Sequence, residues 1–404
     1  MIQKKLKILQ FCNKAPYPPV DGGAIGMHNV SQGLIDEGNQ LKLLTFETHK
    51  HPIQTSEIPD SYIETTRLES VFVDLRVKKT DALKNLLFSK RSYNIVRFFD
   101  VKMKDKLIEI LQQEHFDIIQ IESIFLKDYV PIIRQYSKAK VVLRAPNVEY
   151  VIWDRLSEIE KNPFKKYYLS VLAKRLKREE IAAYHLFDAI YTVTQEDLEI
   201  IKQHCNDKPM AFIPTGIDVT KDLDVSKVPV EYPSIFHLGA LDWFPNQKGI
   251  QWFLDHVWKV LHEKYPNLIF YIAGRRPPEW LKQLNLPNVK MIGEVKDAGH
   301  FIKSKAIMIV PLFSGSGMRV KIIEAMMLQK AIVTTSIGIE GIIHEHEKNV
   351  MVADHAEDFI ASIIKLVDDQ TLYESICKTA KENAAQYYSN AILTKKLMDF
   401  FYTL

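Results

Sequence analysis

Short apolar runs alternate along the chain with longer stretches in which apolar residues recur at helical spacing. A strand buried on both faces reads as a continuous apolar run, so this alternation predicts parallel sheets covered by helices. The predicted strands are residues 7–11, 41–46, 71–75, 117–121, 141–143 and 189–193 in the first half, and 234–238, 268–273, 290–292, 306–310, 331–334 and 350–352 in the second. The clearest helices between them are 24–37, 246–264, 319–328 and 356–367.

Two such sets predict an α/β protein with two Rossmann-like, doubly wound domains. Residues 214–233 lack apolar periodicity and have a proline at each end, which is typical of a linker. We therefore expect an N-terminal domain over 1–220 and a C-terminal domain over 221–384. The last stretch is predicted to be helical, and residues 385–404 to pack back on the N-terminal domain. Ligands bind at the carboxyl ends of such sheets, and two facing sheets would form a central cleft.

Composition narrows the class of protein. The 404 residues are 47% hydrophobic and 25% charged, with a formal net charge of +3, so there is no basic excess to suggest a nucleic-acid partner. Cys12, Cys205 and Cys377 are far apart, without a CxxC pair or a His/Cys cluster in the sequence, which disfavours a disulfide framework or structural zinc. The longest apolar run, 306–313, is too short to span a bilayer. We expect a cytoplasmic protein whose membrane contact is at most peripheral, at the inner face.

The strongest local signal is a buried strand followed by a glycine-containing loop and a helix. Gly315 and Gly317 let the backbone approach a ligand, and the N–H groups at the helix start favour an anion. Arg319 and Lys321 fall in the first turn, where positive charge opposes the helix dipole. A diphosphate bound there would compensate both cations, and Glu324 could accept hydrogen bonds from a ribose. The alternative is an ordinary strand–loop–helix turn with surface cations.

This segment resembles the donor-binding loop of the retaining GT-B glycosyltransferases of family 4, also called glycosyl transferases group 1. The match lies in Ile-Glu-Ala-Met, whose carboxylate is Glu324. Ser316 stands where the family usually has a glutamate that contacts the donor sugar, and Ala240 stands where many members have an arginine for the diphosphate. We infer that Arg319, with Lys321, takes over that charge. Further matches lie at 213–218, 239–252, 273–277, 288–295 and 334–342.

The resemblance implies a two-domain GT-B fold and transfer of a sugar from a nucleoside-diphosphate donor, with retention of configuration and without a metal or other cofactor. The acceptor would be a glycan, a lipid-linked molecule or a small molecule, in the synthesis of cell-surface polysaccharide or glycoconjugate. Arg319, Lys321 and Glu122 are the catalytic candidates. The donor-binding candidates are Gly22, Gly23, Gly293, Val295, Ser316, Gly317, Met318, Arg319, Val320, Lys321 and Glu324.

The N-terminal domain supplies candidates for the other side of the reaction. Adjacent Gly22 and Gly23 could form an anion-binding nest at the start of a helix, or simply a tight turn. Glu122 follows a predicted strand and is either an acceptor or sugar contact or a buried structural carboxylate. Arg144, Asn147 and Glu149 resemble a segment of one branch of the family that lines the acceptor or sugar side.

The stretch 161–178 is basic, with aromatic and aliphatic residues at helical spacing. It is either an ordinary amphipathic helix with a solvated cationic face or a surface that contacts an anionic membrane and a lipid-linked acceptor. The only Asp-x-Asp triplet, at 222–224, falls in the predicted linker, so no metal site is predicted. Competing hypotheses are a nucleotide-sugar epimerase, a phosphorylase, and a non-catalytic nucleotide-sugar-binding protein.

Overall fold

The computed structural model describes residues 4–53, 58–218, 228–315 and 317–404. The chain divides into two compact units. Met1–Gly216 together with Asn390–Leu404 form the N-terminal unit, and Ile217–Ser389 form the C-terminal unit. The chain thus leaves the first unit at Gly216, where 220 is expected, and returns to it at Asn390, where 385 is expected.

The N-terminal unit is built on a seven-stranded sheet of order β3-β2-β1-β4-β5-β6-β7, in which neighbouring strands are parallel. Its central strands are apolar on both faces, because helices cover both sides of the sheet. The strands are β1 (Lys7–Cys12), β2 (Gln40–Glu47), β3 (Glu69–Phe72), β4 (Ile118–Ile121), β5 (Lys140–Ala145), β6 (Ala189–Thr192) and β7 (Met210–Phe212).

The C-terminal unit has a six-stranded parallel sheet of order β10-β9-β8-β11-β12-β13. Its core is the apolar cluster between the sheet and the flanking helices. The strands are β8 (Glu231–Leu238), β9 (Phe270–Ala273), β10 (Val289–Gly293), β11 (Lys305–Val310), β12 (Ala331–Thr334) and β13 (Met351–Val352). The predicted fold class, two doubly wound α/β domains, is confirmed.

Helices connect the strands in both units. Those of the N-terminal unit are α1 (Gly22–Asp36), α2 (Asp60–Thr66), α3 (Lys79–Phe88), α4 (Tyr93–Val96), α5 (Val101–Gln113), α6 (Val130–Tyr136), α7 (Glu149–Ile159), α8 (Pro163–Tyr184), α9 (Gln195–Lys202) and the C-terminal α18 (Asn390–Tyr402). Those of the C-terminal unit are α10 (Phe244–Phe253), α11 (Lys259–Lys264), α12 (Glu279–Lys282), α13 (Ala298–Ser304), α14 (Val320–Met327), α15 (Ser336–Ile339), α16 (Ala356–Asp368) and α17 (Gln370–Tyr388). None of the helices in the described ranges combines the length and apolar character needed to cross a bilayer.

Several elements differ from the sequence prediction. Strand β7 was not predicted, because its three residues are only half-buried and give little apolar signal. Strand β3 lies at Glu69–Phe72 and not at 71–75. Strand β8 begins at Glu231, so the end of the predicted linker belongs to the sheet, while 219–227 lie outside the described residues. A π-helical turn separates α10 from α11, which were predicted as one helix.

The C-terminal helical stretch is broken at Ser389. There the N–H of Ile217 donates to the Tyr388 carbonyl at 2.8 Å, and Ile217 pairs with Ser389 in an isolated bridge. Directly after the break, the side chain of Asn390 donates from Nδ2 to the Asn29 carbonyl of the N-terminal unit at 2.8 Å. These hydrogen bonds fix where the chain changes unit.

Helix α18 completes the core of the N-terminal unit. Its Leu397, Met398 and Phe401 are buried in one cluster with Met27 and Leu34 of α1. An amphipathic helix is stabilised mainly by covering its apolar face, and α1 together with the adjoining sheet provides the cover.

Candidate functional site

The candidate site of the C-terminal unit lies at the carboxyl edge of its sheet. Strand β11 ends at Val310 and α14 begins at Val320, so residues 311–319 form the connecting loop. Strands β8 and β12 flank β11, and all three run parallel. Their carboxyl ends therefore meet at one edge, where ligands of doubly wound sheets bind.

Two glycines shape the loop before α14. Gly315 has φ +128 and Gly317 has φ +77, a conformation that side chains with a Cβ rarely adopt. A Cβ on Gly315 would also lie 3.0 Å from Nη2 of Arg319 and 3.2 Å from the Trp243 ring. The backbone conformation therefore favours glycine at both positions, and at Gly315 the space is also tight. Ser316, predicted to contact the donor sugar, lies outside the described residues.

Arg319 is the N-cap residue of α14 and is only 6% exposed. Its Nη2 donates to the Ile337 carbonyl at 3.2 Å, which holds the guanidinium beside the loop. A guanidinium has no acceptor atom, so Arg319 cannot cap the helix as serine or aspartate would. The first-turn N–H groups of α14 and the cation therefore make this helix start a suitable place for an anion.

Lys321 lies two residues further on, in the first turn of α14, and is partly buried. Its Nζ donates to Oδ1 of Asn246 on α10 at 3.3 Å. Burial, and then the positive charge of Arg319, lower the pKa of Lys321 to about 7. The structure thus brings the two predicted cations together, and their proximity disfavours the charged form of Lys321. A bound anion would favour that charged form again, because it attracts both cations.

His237 joins this cluster and was missed by the sequence analysis. It is fully buried near the end of β8, and Nδ1 lies 3.2 Å from the Ile309 carbonyl, so Nδ1 carries the proton. Burial and the Lys321 charge hold the pKa of His237 well below its usual value, so the ring is neutral. Nε2 is thus an acceptor, and within the described ranges it has no hydrogen-bond partner. A histidine inside an apolar strand gives no sequence signal of this kind.

Gly239 leaves room between the polar groups of this cluster. A Cβ there would lie 2.9 Å from Nδ2 of Asn246, 3.1 Å from Nζ of Lys321 and 3.4 Å from Nε2 of His237. Donor and acceptor atoms from three elements therefore surround one small space at the carboxyl edge of the sheet. In the family resemblance, Gly239 was noted only because Ala240 follows it, at the position where many members have an arginine.

The other donor-site candidates of this unit also lie at or near that edge. Met318 and Glu324 are half-buried on either side of the α14 N-terminus, and the side chain of Val320 is 4% exposed and packs inward. Val320 can therefore reach a ligand only through its backbone. Gly293 ends β10 with φ +77, and Val295 follows it beside a cavity of about 440 Å³ shared with Tyr271 and α13.

In the N-terminal unit, Gly22 and Gly23 open α1 and are exposed. The N-cap Asp21 accepts from the Ala24 N–H at 2.9 Å and from Nζ of Lys14 at 2.5 Å. Although burial opposes the shift, the Lys14 charge and these hydrogen bonds lower the pKa of Asp21 to about 2. The Asp21 carboxylate already caps the start of α1. Gly22 and Gly23, predicted to bind an anion, therefore lie beside this carboxylate and the Lys14 cation.

Glu122 and Arg144 form a buried ion pair with 3.0 Å between Oε2 and Nη1. Gln10 and Gln120 both donate to Oε1 of Glu122 at 2.5 Å, while Arg144 also donates to Oγ1 of Thr215 at 3.1 Å. Glu122 is 1% exposed and Arg144 is 2% exposed. This geometry favours the structural interpretation of Glu122 over a direct contact with a substrate. Its catalytic role stays a prediction.

Asn147 and Glu149 also lie together, with 3.3 Å between Nδ2 and Oε1. Burial raises the pKa of Glu149 to about 7. Glu180, which the sequence analysis missed, accepts the N–H groups of Glu149 and Tyr150 at 3.0 and 2.9 Å and so caps α7 from α8. Burial, followed by the Glu149 charge, raises the pKa of Glu180 to about 8. Two carboxyl groups, with pKa values of about 7 and about 8, thus lie at the start of α7.

One group of possible metal ligands forms only in the folded chain. The sequence shows no His/Cys cluster, but folding brings donor atoms of His185, Cys205 and Asp207 within 4.8 Å of one another. Residues from the end of α8 and from the loop after α9 meet there, which spacing along the chain could not reveal. The Cys205 thiol donates to Asp207 at 3.2 Å, and burial raises its pKa to about 11. The thiol form is therefore the stable one in this hydrogen bond.

Comparison with known sequences finds a family match within the C-terminal unit. Residues 232–369 match the model of the family described as glycosyl transferases group 1. The chain is 23% identical over 371 residues to an uncharacterized 44.6 kDa protein in the cps region of Klebsiella pneumoniae, covering 89% of this chain and 90% of that one. It is 27% identical over 279 residues to an uncharacterized glycosyltransferase of Methanocaldococcus jannaschii, covering 63% of this chain and 64% of the relative.

Solved structures share the fold over nearly the whole chain. HepE of Anabaena, solved in complex with UDP and glucose, has a TM-score of 0.67 at 13% identity and covers 99% of this chain and 100% of its own. Sucrose-phosphate synthase of Thermosynechococcus elongatus has a TM-score of 0.69 at 13% identity, covering 98% of each chain. At this identity the likeness concerns the fold.

Proposed function

We infer that this chain, a glycosyltransferase whose residues 232–369 match the model of the glycosyl transferases group 1 family, holds the diphosphate of a nucleotide sugar at the start of α14. The observation that carries the proposal is the N-terminus of α14, where Arg319 and Lys321 lie together and where, among the described residues, the N-cap side chain makes no capping hydrogen bond. Burial and the neighbouring Arg319 charge disfavour the charged form of Lys321, and a nearby anion would favour it. A diphosphate supplies such a charge and can accept hydrogen bonds from backbone N–H groups at a helix start.

During transfer, negative charge grows on the leaving nucleoside diphosphate while the anomeric carbon becomes cationic. Fixed donors that face the developing charge lower the barrier. Arg319, Lys321 and the α14 amides are proposed to do this without a metal ion, and Glu324 to accept hydrogen bonds from the ribose. Retention of anomeric configuration is proposed from the family resemblance. The triplet 222–224 lies outside the described residues.

The donor proposed first is a uridine nucleotide sugar, because HepE was solved with UDP and glucose. Gly22 and Gly23 are proposed to approach the donor phosphate and sugar, and Gly293 and Val295 the nucleobase. Arg144, Asn147 and Glu149 are proposed for the acceptor or sugar side.

The acceptor proposed is a glycan or a lipid-linked molecule at the inner face of a membrane, in the synthesis of a surface polysaccharide or glycoconjugate. The basic start of α8 supports this, since Phe164 is 86% exposed and Tyr167 is 72% exposed among lysines at 161, 165 and 166. Exposed aromatic and cationic side chains together favour a membrane interface.

The test is to replace each cation separately. Arg319→Ala and Lys321→Ala are expected to lower kcat/KM for the sugar nucleotide about a hundredfold or more, as loss of one fixed charge donor does elsewhere. Lys365→Ala, on α16 and paired with Glu347, is the matched control and should turn over like the parent. If both site variants keep parental turnover, the diphosphate binds elsewhere. Turnover should also survive EDTA; loss that manganese restores would refute the metal-free step.

A further inference from the structure

Three side chains with metal-binding atoms converge at the amino edge of the N-terminal sheet. His185 lies in the segment that enters β6, while Cys205 and Asp207 lie in the loop that leads from α9 into β7. Strands β6 and β7 are parallel neighbours, so the segments that enter them meet at the same edge. Ligands of doubly wound sheets bind at the opposite, carboxyl edge. This group of residues is therefore separate from the proposed donor and acceptor contacts.

The three donor atoms face one another at distances suited to a single ion. Sγ of Cys205 lies 3.2 Å from Oδ1 of Asp207 and 3.8 Å from Nδ1 of His185. The same Nδ1 and Oδ1 lie 3.9 Å apart. A tetrahedral zinc site with ordinary bond lengths has its donor atoms about 3.4 to 3.6 Å apart. Small rotations of the exposed imidazole and carboxylate side chains would bring all three atoms to that spacing.

The types of donor atom favour zinc over other common metal ions. A thiolate, an imidazole and a carboxylate are all ligands of zinc, whereas Mg²⁺ prefers oxygen ligands alone. Cys205 is 3% exposed, while the side chains of His185 and Asp207 are 53% and 63% exposed. Solvent therefore reaches the open side of the group, and a water molecule can complete a four-coordinate site.

The positive charges on neighbouring residues have partners of their own. Nζ of Lys208 donates to the Phe187 carbonyl at 2.8 Å, and Arg134 pairs with Asp188 at 2.9 Å. The group itself offers a carboxylate and a thiol, and the thiol becomes negative when it releases its proton to solvent as a metal ion binds. A divalent ion would thus meet two negative ligands and one neutral imidazole.

Strand β7 is the element that an ion at this place would stabilise. It has only three residues, all half-buried, and it lies at the edge of the sheet, where β6 is its one neighbour. An ion bound by residues from the entries of both strands would cross-link those entries. Because the ligands meet only in the folded chain, the free energy of metal binding would add to the stability of the fold.

We propose that His185, Cys205 and Asp207 form a zinc site that ties the entries of β6 and β7 together. The ion has a structural role and takes no part in sugar transfer. The sequence analysis disfavoured structural zinc because these ligands come from two segments separated by β6 and α9, so their spacing along the chain shows no motif. Chelation is expected to lower the melting temperature of the zinc-loaded protein while turnover, measured well below that temperature, stays unchanged.

The experiment titrates Zn²⁺ alone into the full chain, without a histidine tag, after reduction and removal of metal. Competition with a chromophoric chelator gives the affinity, and we expect one ion per chain. The melting temperature should rise by about 5 °C when free zinc is a hundredfold above its dissociation constant. Co²⁺ then replaces zinc as a spectroscopic probe, because a cobalt–thiolate bond gives an ultraviolet charge-transfer band.

Single changes of the ligands test the assignment. His185→Gln and Asp207→Asn, both at exposed positions where the fold tolerates change, should each lower the zinc affinity about a hundredfold or more, since loss of an outer-shell partner already costs up to that much. Cys205→Ser should also abolish the cobalt–thiolate band. Cys377→Ser removes a buried thiol of the C-terminal unit and is the control, which should bind zinc like the parent.

Four outcomes would overturn the proposal. Zinc affinity unchanged by both exposed substitutions would place the ion elsewhere, and cobalt binding without a thiolate band would remove Cys205 from the site. An equal rise in melting temperature with Mg²⁺ or Mn²⁺ would indicate a site for hard cations in place of zinc. UDP binding that requires zinc would contradict a purely structural ion. UDP affinity by calorimetry, measured with and without zinc, therefore separates this site from the proposed donor site.

Discussion

Lys321 lies where its charged form is unfavourable in the free protein but would be favoured by the proposed diphosphate. The amino group is partly buried beside another cation, which lowers its pKa to about 7. Near neutral pH the free protein therefore holds this lysine partly uncharged, whereas a bound diphosphate favours the charged form. Ligand binding and proton uptake are thus coupled at this residue.

The affinity for UDP is expected to fall as the pH rises above about 7, approaching tenfold per pH unit, because each binding event must then add a proton to Lys321. Below that pH the lysine is already charged, so its contribution becomes constant. Isothermal titration calorimetry across the range measures this slope, and the proton uptake appears as a dependence on buffer ionisation enthalpy. Lys321→Arg, which stays charged, should flatten the slope. A parent affinity that does not vary with pH would contradict the coupling.

Glu122 separates a structural from a catalytic interpretation. Its carboxylate forms a buried ion pair with Arg144 and accepts two glutamine amides. Glu122→Gln is expected to lower the free energy of unfolding by about 3 kcal/mol, since it leaves a buried guanidinium without its counter-charge. Adding Arg144→Met should recover much of the loss. Thermal denaturation gives the stability, and kcat measured well below the melting point gives the chemistry. A large fall in kcat with unchanged melting temperature would instead make Glu122 catalytic.

The residue types of the proposed donor site could be predicted from the sequence, but the residues that contact them could not. Arg319, Lys321 and Glu324 belong to one short motif, and helical spacing brings them near each other. His237, Asn246 and Gly239 come from β8, α10 and the intervening loop, and only the parallel pairing of β8 with β11 brings them to Lys321. Glu180 was missed for the same reason, since it caps α7 from α8.

At the scale of elements, the site depends on how closely α10 packs against the end of β11. A Cβ on Gly249 would lie only 2.0 Å from the Pro311 carbonyl oxygen. Pro311 belongs to the loop that carries Gly315, and α10 carries Asn246, the partner of Lys321. A close approach at this glycine therefore sets the distance between two walls of the site.

Gly249→Ala is expected to lower the free energy of unfolding by about 2 kcal/mol, because a backbone carbonyl cannot move aside as a flexible side chain can. It should also weaken UDP binding by moving Asn246 away from Lys321. Gly293→Ala is the control: a Cβ there meets nothing within 4 Å, and only its φ of +77 opposes the change, at about 1 kcal/mol. Chemical denaturation compares the two. A loss for Gly249→Ala no larger than that for Gly293→Ala would show that the contact with Pro311 is not decisive.

At the scale of the whole molecule, the two ends of the chain belong to the same unit. Helix α18 follows the whole C-terminal unit and packs into the core formed by β1 and α1. A Cβ on Gly216 would lie 2.8 Å from the Cα of Asn390, so the outgoing and returning chains pass in close contact. The N-terminal unit is therefore complete only when the last residues are in place.

Removal of Asn390–Leu404 is expected to destabilise the N-terminal unit by about 6 kcal/mol or more, because the burial of four side chains, Leu393, Leu397, Met398 and Phe401, is lost and the apolar surface they cover is exposed. That loss is comparable with the whole stability of a typical domain. Limited proteolysis should then cleave the N-terminal unit much faster and leave 217–389 largely protected. Equal cleavage of parent and truncated chains would show that α18 is dispensable.

The sequence by itself determined the alternation of strands and helices in two sets and the residue types at the start of α14. Those features depend on neighbours within one turn or one strand, where period and residue type suffice. Only the tertiary structure decided which charges pair. Glu122 meets Arg144, Lys321 meets His237 and Asn246, and the leucines of α3 remain outside the core. Each of these depends on the packing of elements distant in sequence, and charge or burial is set by the packed environment and not by the residue's own type.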